Sequence, residues 1–378
     1  VWELKAVFNP PTAVSPPRDK TDRNTFLTIF SGLVSVADWL GSRNEECFGF
    51  VGEPISTRQY AARSQQKAQE SLADLGWMGW KPTGEQPTFD QTFAYLGFDQ
   101  PRRVQEQVIA AVRDCPQPTL LILEAPTGIG KTETAVYIAD SWLQKHHGRG
   151  LYVAMPTQAT SNQMYDRVGK FLHHRYPDMS INYHLVHGQA PWMDKLKKKV
   201  ELQSVGDDKL AHVNAESWFT SRKRTLLAPF GVGTVDQTLM SILQTRHFFV
   251  RLFGLSHKVV IFDEVHAYDT FMNTLFHRLL AWLNAIGTSV IILSATLPAK
   301  TRRDLVKAYT GQSLPETDPD YPALTIANAQ QQETISLDKP KPYTVELDWS
   351  VSREPEAIVT FLKDALLDGG CAAIICNT

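Results

Sequence analysis

The segment APTGIGKT, from Ala125 to Thr132, constrains the fold of this 378-residue chain more than any other feature. It follows an apolar run typical of a buried strand, Thr119 to Glu124, and precedes a helical pattern from Lys131 to about His146. A Gly-containing loop between a strand and a helix presents backbone N–H groups at the helix start, where the helix dipole favours negative charge. The segment therefore predicts a phosphate-binding loop in an α/β domain.

Several positions of this loop have an expected role in binding ATP. Gly128 and Gly130 allow a tight turn without a Cβ clash, so that the amides converge on phosphate oxygens. Lys131 would then reach the terminal phosphates, and the Thr132 hydroxyl would bind Mg²⁺. The generic pattern begins with Gly, whereas Ala125 stands at that position here. We expect three further residues to line the same nucleotide site: Thr127, Ile129 and Glu133.

Two adjacent carboxylates, Asp263 and Glu264, follow another apolar run of strand type, Val259 to Phe262. Such a pair is costly to desolvate unless a cation or solvent receives it. We expect Asp263 to bind Mg²⁺ directly or through water, and Glu264 to polarise the attacking water as a general base. Together with Lys131, these residues form the predicted catalytic set.

His266, two residues further along the DEVH segment, is predicted to link this site to Ser294 and Thr296. Those two residues follow the strand run Val290 to Leu293, and the three side chains would couple hydrolysis to movement. The alternative is a structural histidine that is satisfied by local hydrogen bonds near a strand end.

The segments APTGIGKT, GTVDQ, DEVH and SAT, in this order, resemble the first motor domain of a superfamily-2 helicase over about residues 90 to 330. The resemblance implies a RecA-like parallel sheet flanked by helices, with ATP hydrolysis driving movement along a nucleic acid. Upstream, PRRVQ at residues 101–105 resembles the adenine-reading segment of that family. Gln105 would bind the base edge there, and Arg102 would support it.

Two segments resemble the strand-tracking motifs of the same family, namely MPTQATSNQM at residues 155–164 and GTVDQ at residues 233–237. Hydroxyl, amide and backbone N–H groups contact phosphate without reading the sequence, which suits a motor that must slide. The residues that the resemblance implies for nucleic-acid contact are Pro156, Thr157, Asn162, Gln163, Gly233, Thr234, Asp236 and Gln237.

The segment SGLVSVADWLGS, Ser31 to Ser42, closely resembles the last helix of the HD nuclease domain in the CRISPR-associated helicase–nuclease of type I systems. That family joins an HD metal nuclease to a superfamily-2 motor, is recruited by a Cascade-type surveillance complex and degrades the displaced single-stranded DNA. The resemblance implies that Asp38 is one ligand of the nuclease metal, a divalent transition metal. A capping or ion-paired Asp38 on a packed helix is the alternative.

The chain does not carry the histidines that a complete nuclease site requires. All eleven histidines lie at or after His146, and no His-Asp dipeptide occurs. An HD site needs several imidazoles with its carboxylates, so we expect only a partial metal site. After Pro342, a strand, a helix and a final strand at Cys371 to Thr378 predict the opening of a second RecA-like domain. Later elements of such a domain add an arginine worth about 10³ to 10⁵ in turnover, so slow hydrolysis is expected from this chain alone.

Changes in composition place the expected domain boundaries. Residues 1–55 would be the C-terminal part of an HD domain and residues 56–88 a helical linker. Residues 89–335 would be the first RecA-like domain, and residues 336–378 the start of a second.

The net charge and the cysteine content limit which partners and which cellular compartment the sequence favours. The net charge of −2 provides no global basic field, so nucleic-acid contact needs local patches such as Lys195 to Lys199 and Ser221 to Arg224. A charge run is also common on a solvated helix face. Four cysteines without metal-ligand spacing, no signal peptide and no apolar run long enough for a bilayer favour the cytoplasm and no membrane contact.

Two other functions explain part of these motifs. A generic superfamily-2 RNA or DNA helicase accounts for the motor segments and leaves Ser31 to Ser42 unexplained. A P-loop switch or assembly ATPase needs no strand-tracking residues, so that Thr157 and Thr234 would only cap loops. Binding of an oligonucleotide, with and without a non-hydrolysable nucleotide, distinguishes these functions.

Overall fold

The structure is a computed structural model, and it describes residues 2–9, 17, 19–42, 52–186, 213–214, 224–265, 268, 270–316, 319–340, 344–345, 347, 352, 354–367 and 369–375. His266, the basic run Lys195 to Lys199 and residues 221–223 of the second basic segment lie outside this part of the chain. The chain forms two compact units, Val1–Asp338 and Lys339–Thr378.

A nine-stranded, mostly parallel sheet forms the centre of the first unit. Its strands are β1 Leu120–Glu124, β2 Leu151–Met155, β3 Ile181–Val186, β4 Val213–Asn214, β5 Phe230–Thr234, β6 Val259–Asp263, β7 Ser289–Ser294, β8 Ala323–Ala327 and β9 Gln332–Ser336. Their order across the sheet is β4-β3-β5-β2-β6-β7-β1-β8-β9, and β8 runs antiparallel to both of its neighbours.

Helices cover both faces of the sheet. The described helices of the first unit are α1 Trp2–Phe8, α2 Lys20–Gly41, α3 Thr57–Asp74, α4 Phe89–Thr92, α5 Arg103–Val112, α6 Lys131–His146, α7 Gln158–Arg175, α8 Val235–Leu239, α9 Phe248–Leu255, α10 Thr270–Ala285 and α11 Ala299–Thr310. The second unit contains α12 Pro355–Ala365. Short 3₁₀ turns occupy residues 94–96 and 225–227. The predicted α/β architecture, a parallel sheet flanked by helices, is confirmed.

The central strands read as nearly continuous apolar runs because both of their faces are buried. In β1, Leu121 and Leu123 pack into the layer formed with α5, α6 and α7. Leu120 and Ile122, on the opposite face, pack into the layer formed with α9, α10 and α11. Alternate side chains of one strand therefore supply two cores, as the period of two in a strand requires.

The N-terminal helices pack against the sheet domain. Gly32 of α2 lies so close to the Phe253 side chain of α9, 2.5 Å from where its Cβ would be, that a larger residue would collide. Trp39 of α2 contacts the His247 ring edge-on, at 5.3 Å between centroids. Helix α2 contains most of the segment Ser31 to Ser42 and begins at Lys20, because the Asp19 carboxylate caps it by accepting from the Thr21 and Asp22 N–H groups.

The second unit contains one described helix, α12. The prediction of a strand at Cys371 to Thr378 is wrong over its described part, because residues 371–375 are exposed and have no strand assignment. A strand requires a neighbouring ladder to satisfy its N–H and C=O groups, and no strand lies among the described residues of this unit.

Candidate nucleotide-binding site

Three neighbouring strands end at one level of the sheet and bring the predicted motifs together. Leu293 of β7 is in register with both Leu123 of β1 and Asp263 of β6. The phosphate-binding loop leaves β1 at this level, and the acidic pair lies at the end of β6. In open α/β sheets, ligands bind in the crevice outside the carboxyl ends of the strands.

A cavity of about 400 Å³ lies at this edge of the sheet. All of the residues predicted to bind the nucleotide or to act in catalysis line it. They are Arg102, Gln105, Thr127, Gly128, Ile129, Gly130, Lys131, Thr132, Glu133, Asp263 and Glu264. Two further lining residues, Gln100 and Arg167, carry no role in any of the sequence motifs. The lining is completed by Phe98, which precedes the segment that resembles an adenine reader.

The ammonium of Lys131 is held inside the loop. Its Nζ donates to the backbone oxygens of Ala125, at 2.7 Å, and Pro126, at 3.3 Å. Burial lowers the pKa of Lys131, and the negative charges of Glu264 and Asp263 oppose this change. Gly130 has a φ of 89°, which favours glycine. The site therefore presents a buried cation to an anionic ligand.

Ala125 replaces the first glycine of the generic loop for a packing reason. The residue is fully buried in the core layer below α6, and its N–H donates to the Ser294 backbone oxygen at 3.2 Å. A methyl group fills this apolar position, and the hydrogen bond ties the start of the loop to the end of β7.

The segment at residues 101–105 lies directly against the phosphate loop. The Gln105 side chain donates from Nε2 to the Gly130 oxygen at 3.2 Å, and its Oε1 accepts from the Arg102 N–H at 2.9 Å. Arg102 also donates from its guanidinium to the Gly128 oxygen. Both side chains are thus held against the phosphate loop at the wall of the cavity.

The acidic pair has a constrained backbone. Glu264 has a φ of 55°, and its N–H donates to Asp263 Oδ1 at 3.0 Å. Burial raises the pKa of Asp263, and the charge of Glu264 adds to this effect, whereas Lys131 and Arg167 oppose it. A non-glycine residue in the left-handed region is strained, and such strain clusters at functional sites. The turn brings both carboxyl groups to the wall of the cavity.

The residues of the predicted strand-tracking motifs lie outside the cavity lining, at the ends of β2 and β5. Thr157 caps α7 by accepting from the Thr160 N–H at 3.2 Å, and Pro156 precedes it. Asn162 and Gln163 follow within α7, where Gln163 is exposed. These two strand ends are adjacent, because Met155 of β2 pairs with Thr234 of β5.

Close packing explains why the GTVDQ segment has glycine at residue 233. A Cβ on Gly233 would overlap the Val186 oxygen and lie 2.5 Å from the Tyr152 hydroxyl. Gln237 is buried, whereas Asp236 is exposed. Asp236 is therefore the side chain of this segment that is most open to a ligand.

A buried ion pair lies between the helix that follows the SAT segment and the strand that precedes the phosphate loop. Ser294 Oγ donates to the Thr296 backbone oxygen at 2.8 Å. Arg302 lies in α11, which follows this segment. It donates two hydrogen bonds to the Glu124 carboxylate, from Nε to Oε1 at 2.6 Å and from Nη2 to Oε2 at 3.3 Å. Glu124 is the last residue before the phosphate loop, so the ion pair connects the strand that precedes this loop to the helix that follows the SAT segment.

Asp38 is an exposed residue of α2. Among the residues that the structure describes, no group of three or more His, Cys, Asp or Glu side chains is arranged to hold a metal ion. The described residues therefore do not fit a nuclease metal, and the ligand role of Asp38 stays a prediction.

The comparisons with known proteins agree with this geometry. Residues 102–305 match the DEAD/DEAH box helicase family. The chain belongs to this family of helicases.

The relatives define the branch of the family more narrowly. The chain is 36% identical over 384 residues to the CRISPR-associated endonuclease/helicase Cas3 of Thermus thermophilus, covering 100% of this chain and 41% of that protein. It is 32% identical to Cas3 of Escherichia coli, covering 99% and 43%. The chain thus spans less than half the length of these relatives. The resemblance to CRISPR-associated helicase–nucleases that the motifs indicated is confirmed.

Solved structures give the same result. A crystal structure of T. fusca Cas3 with ATP matches with a TM-score of 0.72 at 29% identity, covering 94% of this chain and 42% of that one. A crystal structure of a CRISPR-associated protein matches with a TM-score of 0.76 at 37% identity, covering 99% and 42%. No helix among the described residues combines the length and the apolar character that crossing a membrane requires.

Replacing Lys131 with methionine is expected to weaken the binding of a non-hydrolysable ATP analogue by about 10- to 100-fold. The change removes one charge-assisted contact to phosphate, worth about 1.5 to 3 kcal/mol. Isothermal titration of the purified chain measures the affinity. Lys145→Met, in the last turn of the same helix, is the matched control, and equal affinities of K131M and wild type would contradict the prediction.

Proposed function

We propose that this chain is the ATP-binding part of a motor that moves along single-stranded DNA in CRISPR interference. The observation that carries the proposal is the single cavity that unites the phosphate loop with Asp263 and Glu264. A bound Mg·ATP would supply the phosphoanhydride bond and the metal charge that its cleavage requires. The chain's own residues supply positioning, charge and a base.

The donor set of the cavity fits these ligands. The Thr132 hydroxyl and the Asp263 carboxylate are oxygen donors of the kind that Mg²⁺ prefers. Lys131 already binds two carbonyl oxygens of the loop, so phosphate oxygens can replace acceptors of the same type. In this proposal Glu264 orients and deprotonates the attacking water.

Contact with the DNA strand is assigned to the motifs at the ends of β2 and β5. The N-terminus of α7 offers hydroxyl and N–H donors at Thr157 and Thr160, and Asn162 and Gln163 follow on the same helix. Thr234 and Asp236 lie at the neighbouring strand end. These groups suit backbone contact without base reading.

The relatives support the wider assignment. They are named as CRISPR-associated endonuclease/helicases, and a CRISPR RNA-guided surveillance complex contains a chain similar to this one at 25% identity with a TM-score of 0.56. We propose a surveillance complex of this kind as the partner, nuclease activity with a divalent transition metal in a longer parent protein, and the cytoplasm as the compartment.

Binding of labelled oligonucleotides tests the proposal. We expect the chain to bind a fluorescent single-stranded DNA in anisotropy titrations, with an affinity that changes at least about threefold when a non-hydrolysable ATP analogue is added, since coupled sites differ by 1 to 3 kcal/mol. A single-stranded RNA of the same sequence serves as the control. Preference for RNA would favour a generic helicase, and no oligonucleotide binding would favour a switch ATPase.

A further inference from the structure

Arg167 is a cavity residue to which none of the motifs assigns a role. It lies on α7, the helix that begins at the first strand-tracking motif, and it lines the same cavity as Lys131 and Thr132. Its guanidinium forms an ion pair with Glu133, the residue that follows Thr132. Arg167 thus lies at the end of the cavity where the phosphates and the metal would bind.

The two partners of this ion pair differ in exposure. The Glu133 side chain is only 6% exposed, whereas the Arg167 side chain is 48% exposed. The contact uses Nη2 of Arg167, and a guanidinium carries five N–H donors in a planar fork. Glu133 therefore anchors one edge of the fork, and further donors remain for a second anion.

The other cations of the cavity already bind loop carbonyls. Lys131 donates to Ala125 and Pro126, and Arg102 donates to Gly128. Among the described cations that line the cavity, Arg167 is the one that lies on α7. It pairs with a carboxylate, whereas Lys131 and Arg102 bind carbonyl oxygens of the loop. A planar guanidinium suits bidentate recognition of phosphate better than a point charge does.

We propose that the Arg167 guanidinium binds the terminal phosphate of the nucleotide. The position of α7 would then depend on whether a triphosphate is bound. This inference rests on the proposed function, because it requires ATP in the cavity. Arg167 lies ten residues after Thr157, about 15 Å along the helix axis at 1.5 Å per residue. A shift of the guanidinium toward phosphate would act on the same helix that begins at the strand-tracking residues.

The test compares the affinities of a non-hydrolysable ATP analogue and ADP by isothermal titration of the full chain. Arg167→Gln is expected to weaken binding of the triphosphate about 10- to 100-fold and to leave ADP within about twofold, because only the triphosphate carries the terminal group. Lys170→Gln, which removes a positive charge from an exposed position of the same helix, should leave both affinities unchanged. Circular dichroism verifies that each variant folds.

Glu133→Gln separates a phosphate ligand from a purely structural ion pair. This variant alters a residue of the cavity wall, so both affinities are expected to change together, and because Arg167 remains, their ratio should stay that of the wild type. Equal loss of the preference for the triphosphate in E133Q and R167Q would mean that Arg167 acts only through Glu133, which overturns the inference. An unchanged preference in R167Q overturns it too. A wild-type chain that binds neither nucleotide would instead refute the proposed function, and the inference with it.

Discussion

Replacing Glu264 with glutamine is expected to lower the rate of ATP hydrolysis by about 10² to 10⁴, the usual contribution of a general base. Nucleotide affinity should stay equal or rise, because the change removes a negative charge from the wall that faces the phosphates. The isosteric amide preserves the shape of the turn, in which the Glu264 N–H bonds to Asp263 Oδ1 at 3.0 Å. Release of labelled phosphate over hours, under single-turnover conditions, measures the rate.

Glu106→Gln provides the control for this experiment, because Glu106 is an exposed carboxylate of α5 outside the cavity lining. It should hydrolyse ATP at the wild-type rate. Hydrolysis by E264Q at the wild-type rate, with ATP bound, would remove Glu264 from the catalytic set and leave the binding site intact.

Replacing Arg302 with methionine is expected to lower the free energy of unfolding by about 3 to 5 kcal/mol, because it leaves a buried carboxylate without its partner. The side chains of Arg302 and Glu124 are only 9% and 3% exposed. Urea titration followed by circular dichroism measures the loss.

Two comparisons give this stability prediction its controls. The double variant Glu124→Leu with Arg302→Leu should recover most of the loss, because apolar pairs often replace buried ion pairs without cost. Lys67→Ala breaks the exposed Lys67–Glu70 pair, which spans 3.0 Å, and should cost far less stability than R302M does. A loss in R302M no greater than that in K67A would show that the buried pair contributes little.

Much of the site could be read along the chain. Lys131 lies at the end of the loop after one run of apolar residues, and Asp263 and Glu264 follow another run directly. Such runs form buried strands whose ends meet at one edge of a parallel sheet. Their roles follow from residue type and from the position beside a strand end. The cap at Asp19, which starts α2 at Lys20, is also a local signal and could have been used.

Other features depend on contacts that no local pattern encodes. Glu124 and Arg302 are 178 residues apart in the sequence, and they meet only because α11 packs beside the end of β1. Helical periodicity can place Arg167 on α7, but it cannot reveal that this face meets the start of α6. The strand predicted at Cys371 fails for the same reason, since pairing needs a neighbour that local propensity does not supply.

The residues proposed to bind phosphate and metal and to act as a base thus lie in short segments whose residue types and spacing carry the information, because each segment is a single strand end with its loop. The folded chain alone decides that β7 lies between β1 and β6, which brings those segments to one cavity. It alone adds the Arg167–Glu133 and Arg302–Glu124 pairs, because side chains from elements far apart in the sequence meet only when the sheet order is set.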